Sequence, residues 1–333
     1  MTWHAIDSVE PAWNRTVGLL FKPFRGRFWL KLALVAFLMG LGGGGGGGGG
    51  NVGNIDGRGS LGSFSEQIIA KVMENIGIIA VAGGVIILIA LALSYIRVVM
   101  RFVFLESVLN SKVEIVAGFK RHMGKGFRVF LFELVVSIVL LLSIIAPLLA
   151  YYLVFGFDLG APLWLSLIVG ILALLLLVIF TTIITSFTKS FVVPYMYKGR
   201  GLVEGWKHLL SVLRKNVTQT LVYVFVSIIL KIVSAIAGLI VLVIVMLVLA
   251  IPGAIIGLLL VMIGGGIALS GVCSGPTLLL CAGAGIVALI PVVLVISYLI
   301  TLVMLPIPVF FRYYSLVFLT RIDRGFKIPE LRS

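Results

Sequence analysis

The sequence predicts an all-α fold: a polytopic transmembrane helical bundle of about six spans in three pseudo-repeated helical hairpins, with amphipathic interfacial helices on the cytoplasmic side. Three observations predict it. Of 333 residues, 61% are hydrophobic and only 11% charged, whereas soluble domains carry roughly 25% charged residues. Several apolar stretches exceed the ~20 residues needed to cross a hydrocarbon core about 30 Å thick, and Ile232 to Phe311 contains no Asp, Glu, Lys or Arg. Finally, 23 of the 26 Lys and Arg fall in four segments, 1 to 31, 97 to 128, 188 to 215 and 312 to 333.

Those four segments sum to +16, while the connections 42 to 76 and 151 to 163 each come to −1. Lys and Arg collect in short cytoplasmic loops, so both termini and the two long basic segments are assigned to the cytoplasm and the span number is even. The spans fall at 28–47, 77–100, 129–153, 163–188, 217–245 and 282–310. Eight spans is the alternative, because 232–311 has room for two more and "IPGAIIGLLLVMIGGG" (251–266) also reads as a re-entrant piece lodged against protein.

The first span is short. Phe28 to Leu41 has fourteen residues and extends ~21 Å as a helix, less than the bilayer core. The nine glycines 42–50 that follow are expected to complete the crossing as helix shielded by neighbours, then to open into the external connection, since unpaired backbone in hydrocarbon costs several kcal/mol. Drift of a glycine repeat in a loop is the competing reading. No G-K-[ST] follows, which argues against a phosphate loop. No A-x-A site follows the hydrophobic stretch, so a retained anchor is expected rather than a cleaved signal.

The basic segments open on related stretches: "VEPAWNR" (9–15), "EIVAGFKR" (114–121) and "GLVEGWKH" (201–208). Later spans end on "RFVFLES" (101–107), "KSFVVPYM" (189–196) and "RYYSLVFL" (312–319). A single membrane domain of three repeated units, 1–110, 111–200 and 201–333, is the simplest organisation; chance likeness between short apolar stretches is its competitor. Basic amphipathic helices between spans lie naturally in the interface, which directs Arg15, Lys120, Arg121, Lys125, Lys207, Arg214 and Lys215 to anionic lipid headgroups. Trp13, Phe119, Phe127, Phe130 and Trp206 would be aromatic anchors there, with ordinary packing the plainer alternative. The basic segments lack any nucleic-acid recognition signature, so no nucleic-acid partner is expected.

From "FVVPYMYKGRGLVEGWKHLLSVLRKN" (191–216) through "LPIPVFFRYYSLVFLTRID" (305–323), with "AWNRTVGLLFKPFRGRFWLKLALVAFLMG" (12–40), the chain resembles a prokaryotic family of membrane proteins of unknown function. It is also similar to the membrane domain attached to some glycerophosphodiester phosphodiesterases. The resemblance implies a multi-span helical domain in a prokaryotic cytoplasmic membrane. It implies no catalysis, because the phosphodiesterase site belongs to a separate soluble barrel that nothing in this chain matches.

Chemistry is sparse. His4, His122 and His208 have no Cys or carboxylate at metal-ligand spacing and read as surface residues. Cys273 and Cys281 read as small buried apolar residues, with a disulfide the alternative. No G-x-S-x-G, H-E-x-x-H or Walker motif occurs, so no enzyme, metal or cofactor is expected. Charges inside spans are the usual mark of a functional path, and Glu133 and Lys231 are the two candidates. Lys231 is expected to line the bundle interior and take an acidic group or anionic solute. Thr181, Thr185 and Thr188 fall on one helix face, as packing hydroxyls first and a path lining second. Pro147, Pro252, Pro291, Pro306 and Pro308 mark kinks or span ends. The function expected is a non-enzymatic scaffold or interaction subunit engaging anionic lipids, a second copy or a membrane-complex partner; the alternative is a transporter or channel.

Overall fold

The computed structural model describes residues 4–40, 76–155, 163–269, 277–323 and 325–326. The polyglycine run and Cys273, and with it any pairing to Cys281, lie outside the described residues. Within them all regular structure is helical, with no strand. In chain order the helices are α1 (Val9–Phe21), α2 (Gly26–Gly40), α3 (Ile76–Asn110), α4 (Ile115–Phe155) and α5 (Leu163–Phe187). A π-helical turn, Thr188–Val192, leads to α6 (Val193–Tyr197), α7 (Leu202–Lys215), α8 (Val217–Leu269), α9 (Thr277–Met304) and α10 (Pro306–Ile322).

Among the described residues four stretches are long and apolar enough to cross a membrane: Gly83–Asn110, Ile115–Ser143, Gly170–Tyr197 and Val217–Val248. A fifth is counted if the pair Ile290–Met304 and Pro306–Ile322, bent by 51°, forms one broken span. The bend falls at Leu305, where Pro306 cannot donate to the preceding turn and instead starts α10. Pro291, by contrast, lies inside α9. Residues 251–266, read as a re-entrant piece or an extra span, continue α8 without a break, despite the turn signals of Pro252-Gly253 and Gly264–Gly266; in an apolar run the helix keeps every backbone group paired.

The chain divides into two compact units. One comprises Met1–Phe37, Phe104–Ile115 and Leu210–Ser333. Here α1 lies along α10, burying Ala12, Thr16 and Leu20, an i, i+4, i+8 stripe. The centre of α10 is buried from Tyr313 to Leu319, with Tyr223 of α8 stacked on Tyr314 at 5.2 Å and Phe318 at 4.2 Å between ring centroids. Gly238 brings α8 close to Met304 and Ile307. The Tyr313 hydroxyl donates to the Val108 carbonyl at 2.9 Å, and Arg321 meets Asp7 at 3.7 Å.

The second unit comprises Leu38–Val103 and Val116–Leu209. Its key crossing is α3 against α4 at Gly126, where an added Cβ would stand 2.5 Å from Val99 Cγ2 and 3.1 Å from Val99 Cα. Only glycine allows that approach. Around it Tyr95 is ringed by Phe119, Phe127 and Phe130 at 5.8–6.2 Å, which gives three of the expected interfacial anchors a common packing partner. Trp206 sits 6.0 Å from Phe132.

Burial follows charge. Residues 98–105, 191–196 and 313–319 are buried, within or beside the basic segments, whereas Ile86, Leu88, Leu141, Leu142, Leu176, Phe180, Leu247 and Val248 in the uncharged stretches are exposed. The hydrophobic effect acts where water is near, while in hydrocarbon an apolar side chain gains little by leaving lipid for protein. Tight packing is therefore concentrated toward the polar ends of the spans.

Candidate functional site

Arg97 and Arg101 are one turn apart on α3, so both guanidiniums leave the same face. Opposite them, on α4, stands Glu133. Arg101 Nη1 donates to Glu133 Oε1, and Arg97 Nη2 lies 3.7 Å from Glu133 Oε2 while also donating to Ser94 Oγ at 3.2 Å. Arg101 is 5% exposed and Glu133 8%. The Gly126–Val99 approach two turns earlier on α4 holds the helices close enough for this pair to form. A buried carboxylate is tolerated in a span only with such partners, since an unpaired one costs several kcal/mol.

One turn further along α4 the Ser137 hydroxyl donates to the Glu133 carbonyl at 2.8 Å. Ser137 also lines a cavity of about 150 Å³ together with Val136, Leu140, Thr181, Thr182 and Thr185. Each threonine hydroxyl donates back along α5: Thr181 to Leu177, Thr182 to Val178 and Thr185 to Thr181, at 2.7–3.0 Å. With their protons committed, these hydroxyls offer the cavity acceptor lone pairs. The volume suits a few waters. Thr188, two turns beyond Thr181 on the same face, is buried and donates to Ile184 at 2.8 Å; it does not line the cavity, which Thr182 does. The π-helical turn begins at Thr188 and changes the winding only beyond it.

Lys231 is the second candidate. It is exposed on α8, between a buried Ser227 one turn before and exposed Ile232 and Val233 after it. Lys231 continues the face of Tyr223 and Ser227, and Ser234 one turn on donates to its carbonyl at 3.0 Å, but burial on that face ends at Ser227; the long stem lets the ammonium reach toward the polar boundary. The partners of Glu133 come instead from α3, at positions that the sequence assigns to the end of a span and the start of a basic segment.

His122 is also not a surface residue: it is 3% exposed, stacked 5.8 Å from Phe102 and 5.7 Å from Tyr197. His208 meets Tyr195 edge-on at 5.0 Å. Among the described residues no group of three His, Cys, Asp or Glu could hold a metal.

The candidate headgroup residues fall on helix surfaces. On α7, Gly205, Leu209 and Val212 form the buried stripe, and Lys207, Arg214 and Lys215 are exposed away from it. Gly205 permits the close seat, since an added Cβ would stand 3.3 Å from Val192 Cγ1. On α4, Lys120 and Arg121 are exposed, whereas Lys125 is half-buried and donates to the Tyr197 carbonyl at 3.2 Å. Arg15 on α1 is half-buried.

Several long apolar helices, packing gathered toward their basic ends and an ion pair buried between two of those helices are the features of a polytopic α-helical membrane protein. Among such proteins, the chain belongs to a family of unknown function, DUF7544, which matches residues 3–329. No curated protein and no solved structure matches it.

Proposed function

We propose that this is a non-enzymatic membrane scaffold or interaction subunit whose basic interfacial helices engage anionic lipid headgroups. The carrying observation is α7, which seats an apolar stripe while leaving Lys207, Arg214 and Lys215 exposed, the arrangement of a helix lying in a charged interface. In this reading the chain has six spans in three repeated hairpins, both termini in the cytoplasm and a place in a prokaryotic cytoplasmic membrane. Support for the repeat comes from helices α1, α4 and α7, which begin at or next to its three opening stretches, and from the burial of its three closing ones. Likeness to the membrane domain of glycerophosphodiester phosphodiesterases belongs to the same proposal, as does assembly with a second copy or another membrane subunit.

The test is lipid preference. K207Q/R214Q/K215Q, reconstituted in mixed nanodiscs, is expected to lose most of the wild type's enrichment of phosphatidylglycerol over phosphatidylcholine, as each charge near an anionic surface contributes about 1 kcal/mol. Unchanged enrichment would overturn the reading.

One observation favours a second reading, a solute path: the hydroxyl-lined cavity beside the Arg101–Glu133 pair. Under the scaffold reading a cysteine at Thr185 is expected to resist a membrane-impermeant maleimide in intact vesicles. Rapid labelling from either side would favour the path.

A further inference from the structure

We infer that the turn joining α1 to α2 forms a dedicated site for the phosphate group of an anionic phospholipid. The inference rests on the lipid-engaging reading above and deepens it, with residues that the charge pattern alone did not single out. A cavity of about 130 Å³ is lined by Gly18, Leu19, Lys22, Arg25, Phe28 and Ser111, with Pro23 at its edge. Lys22 and Arg25 are both exposed and bring two cations to it, and the Ser111 hydroxyl adds a donor from the end of α3. No carboxylate lines it. Ser111 holds φ at 53°, the left-handed conformation that ends a helix, directly after Asn110 closes α3, and so it stands at a fixed place beside the turn. Two cations, a hydroxyl and room equivalent to about four waters match a single phosphate group rather than an extended solute.

The surroundings specify the source of that phosphate. Phe21 and Phe24 flank Lys22 and are 48% and 64% exposed. Both rings pack on Trp29, at 5.7 and 5.6 Å, and Trp29 Nε1 donates to the Leu20 carbonyl at 3.0 Å, which ties the turn together. Large aromatics held exposed beside cations are the signature of the headgroup level of a bilayer, where the rings meet acyl chains and the charges meet phosphate. A free anion would have no use for the aromatic flank. Residues 22–25 and 111 also belong to segments that the charge rule assigns to one membrane side.

Trp29 supplies the readout. The full chain in phosphatidylcholine mixed micelles is titrated with phosphatidylglycerol carrying brominated acyl chains, and the Trp29 component is isolated by subtracting the quenching of W29F. Saturable quenching is expected in the wild type, with a midpoint raised roughly 20-fold in K22Q/R25Q and about threefold in S111G, which removes the hydroxyl and relieves the backbone. R27Q, outside the cavity lining, should leave the midpoint unchanged and controls for general charge. An unshifted midpoint in K22Q/R25Q overturns the site. Displacement of the brominated lipid by millimolar inorganic phosphate overturns the lipid assignment in favour of a free anion. If K22Q/R25Q is silent while K207Q/R214Q/K215Q loses phosphatidylglycerol preference, this site fails and the broader reading stands; if both are silent, both fail.

Discussion

Glu133 is the residue on which the second unit turns. Its carboxylate is buried against Arg101 and Arg97, so removing it deletes the negative charge that two guanidiniums face at a helix contact. E133L is therefore expected to destabilise the protein by about 3–5 kcal/mol, read as a fall in thermal unfolding temperature in detergent. R101M/E133L should recover part of that loss, because the most buried guanidinium facing the lost carboxylate is removed with it and Arg97 is the more exposed partner. Equal losses for the two variants would mean that the pair contributes nothing specific to the α3–α4 contact. His122, held between Phe102 and Tyr197, makes the same point: a polar residue in a basic segment can be core, and its side chain alone does not say which.

Among the helices, two glycines one turn-fraction apart on α4 behave oppositely. A Cβ at Gly126 collides with the side chain and backbone of Val99, whereas one at Gly124 meets nothing within 4 Å. G126L is expected to force α3 from α4 at a cost of about 1–3 kcal/mol or more and to break the Arg101–Glu133 contact. G124A should be neutral or stabilise by up to ~1 kcal/mol through helix propensity. Paired unfolding measurements check both; a tolerated G126L would mean that the crossing is not tight. The π-helical turn Thr188–Val192 acts at the same scale: it alters the winding beyond Thr188 and leads into the buried run 191–196.

For the molecule as a whole, the burial pattern follows from two solvents. Apolar side chains are exposed along the uncharged stretches and buried beside the basic ones, so stability depends on lipid as much as on protein contact. Anionic phospholipid that binds only the folded protein should raise its unfolding temperature, by the equivalent of about 2.7 kcal/mol at a hundredfold excess over Kd. Phosphatidylcholine at the same concentration should do distinctly less, and equal effects would argue against charge recognition. Composition and hydropathy by themselves determined the all-helical membrane class and the presence of several long apolar helices. Those properties are local, set by backbone satisfaction in hydrocarbon. Only the tertiary structure decided that Glu133 meets Arg101 and Arg97, that Ser137 shares a cavity with Thr181, Thr182 and Thr185, that Lys231 is exposed, and that Ser111 lines one cavity with Lys22 and Arg25. Each depends on the crossing and rotation of packed helices, which the sequence of a single apolar helix does not record.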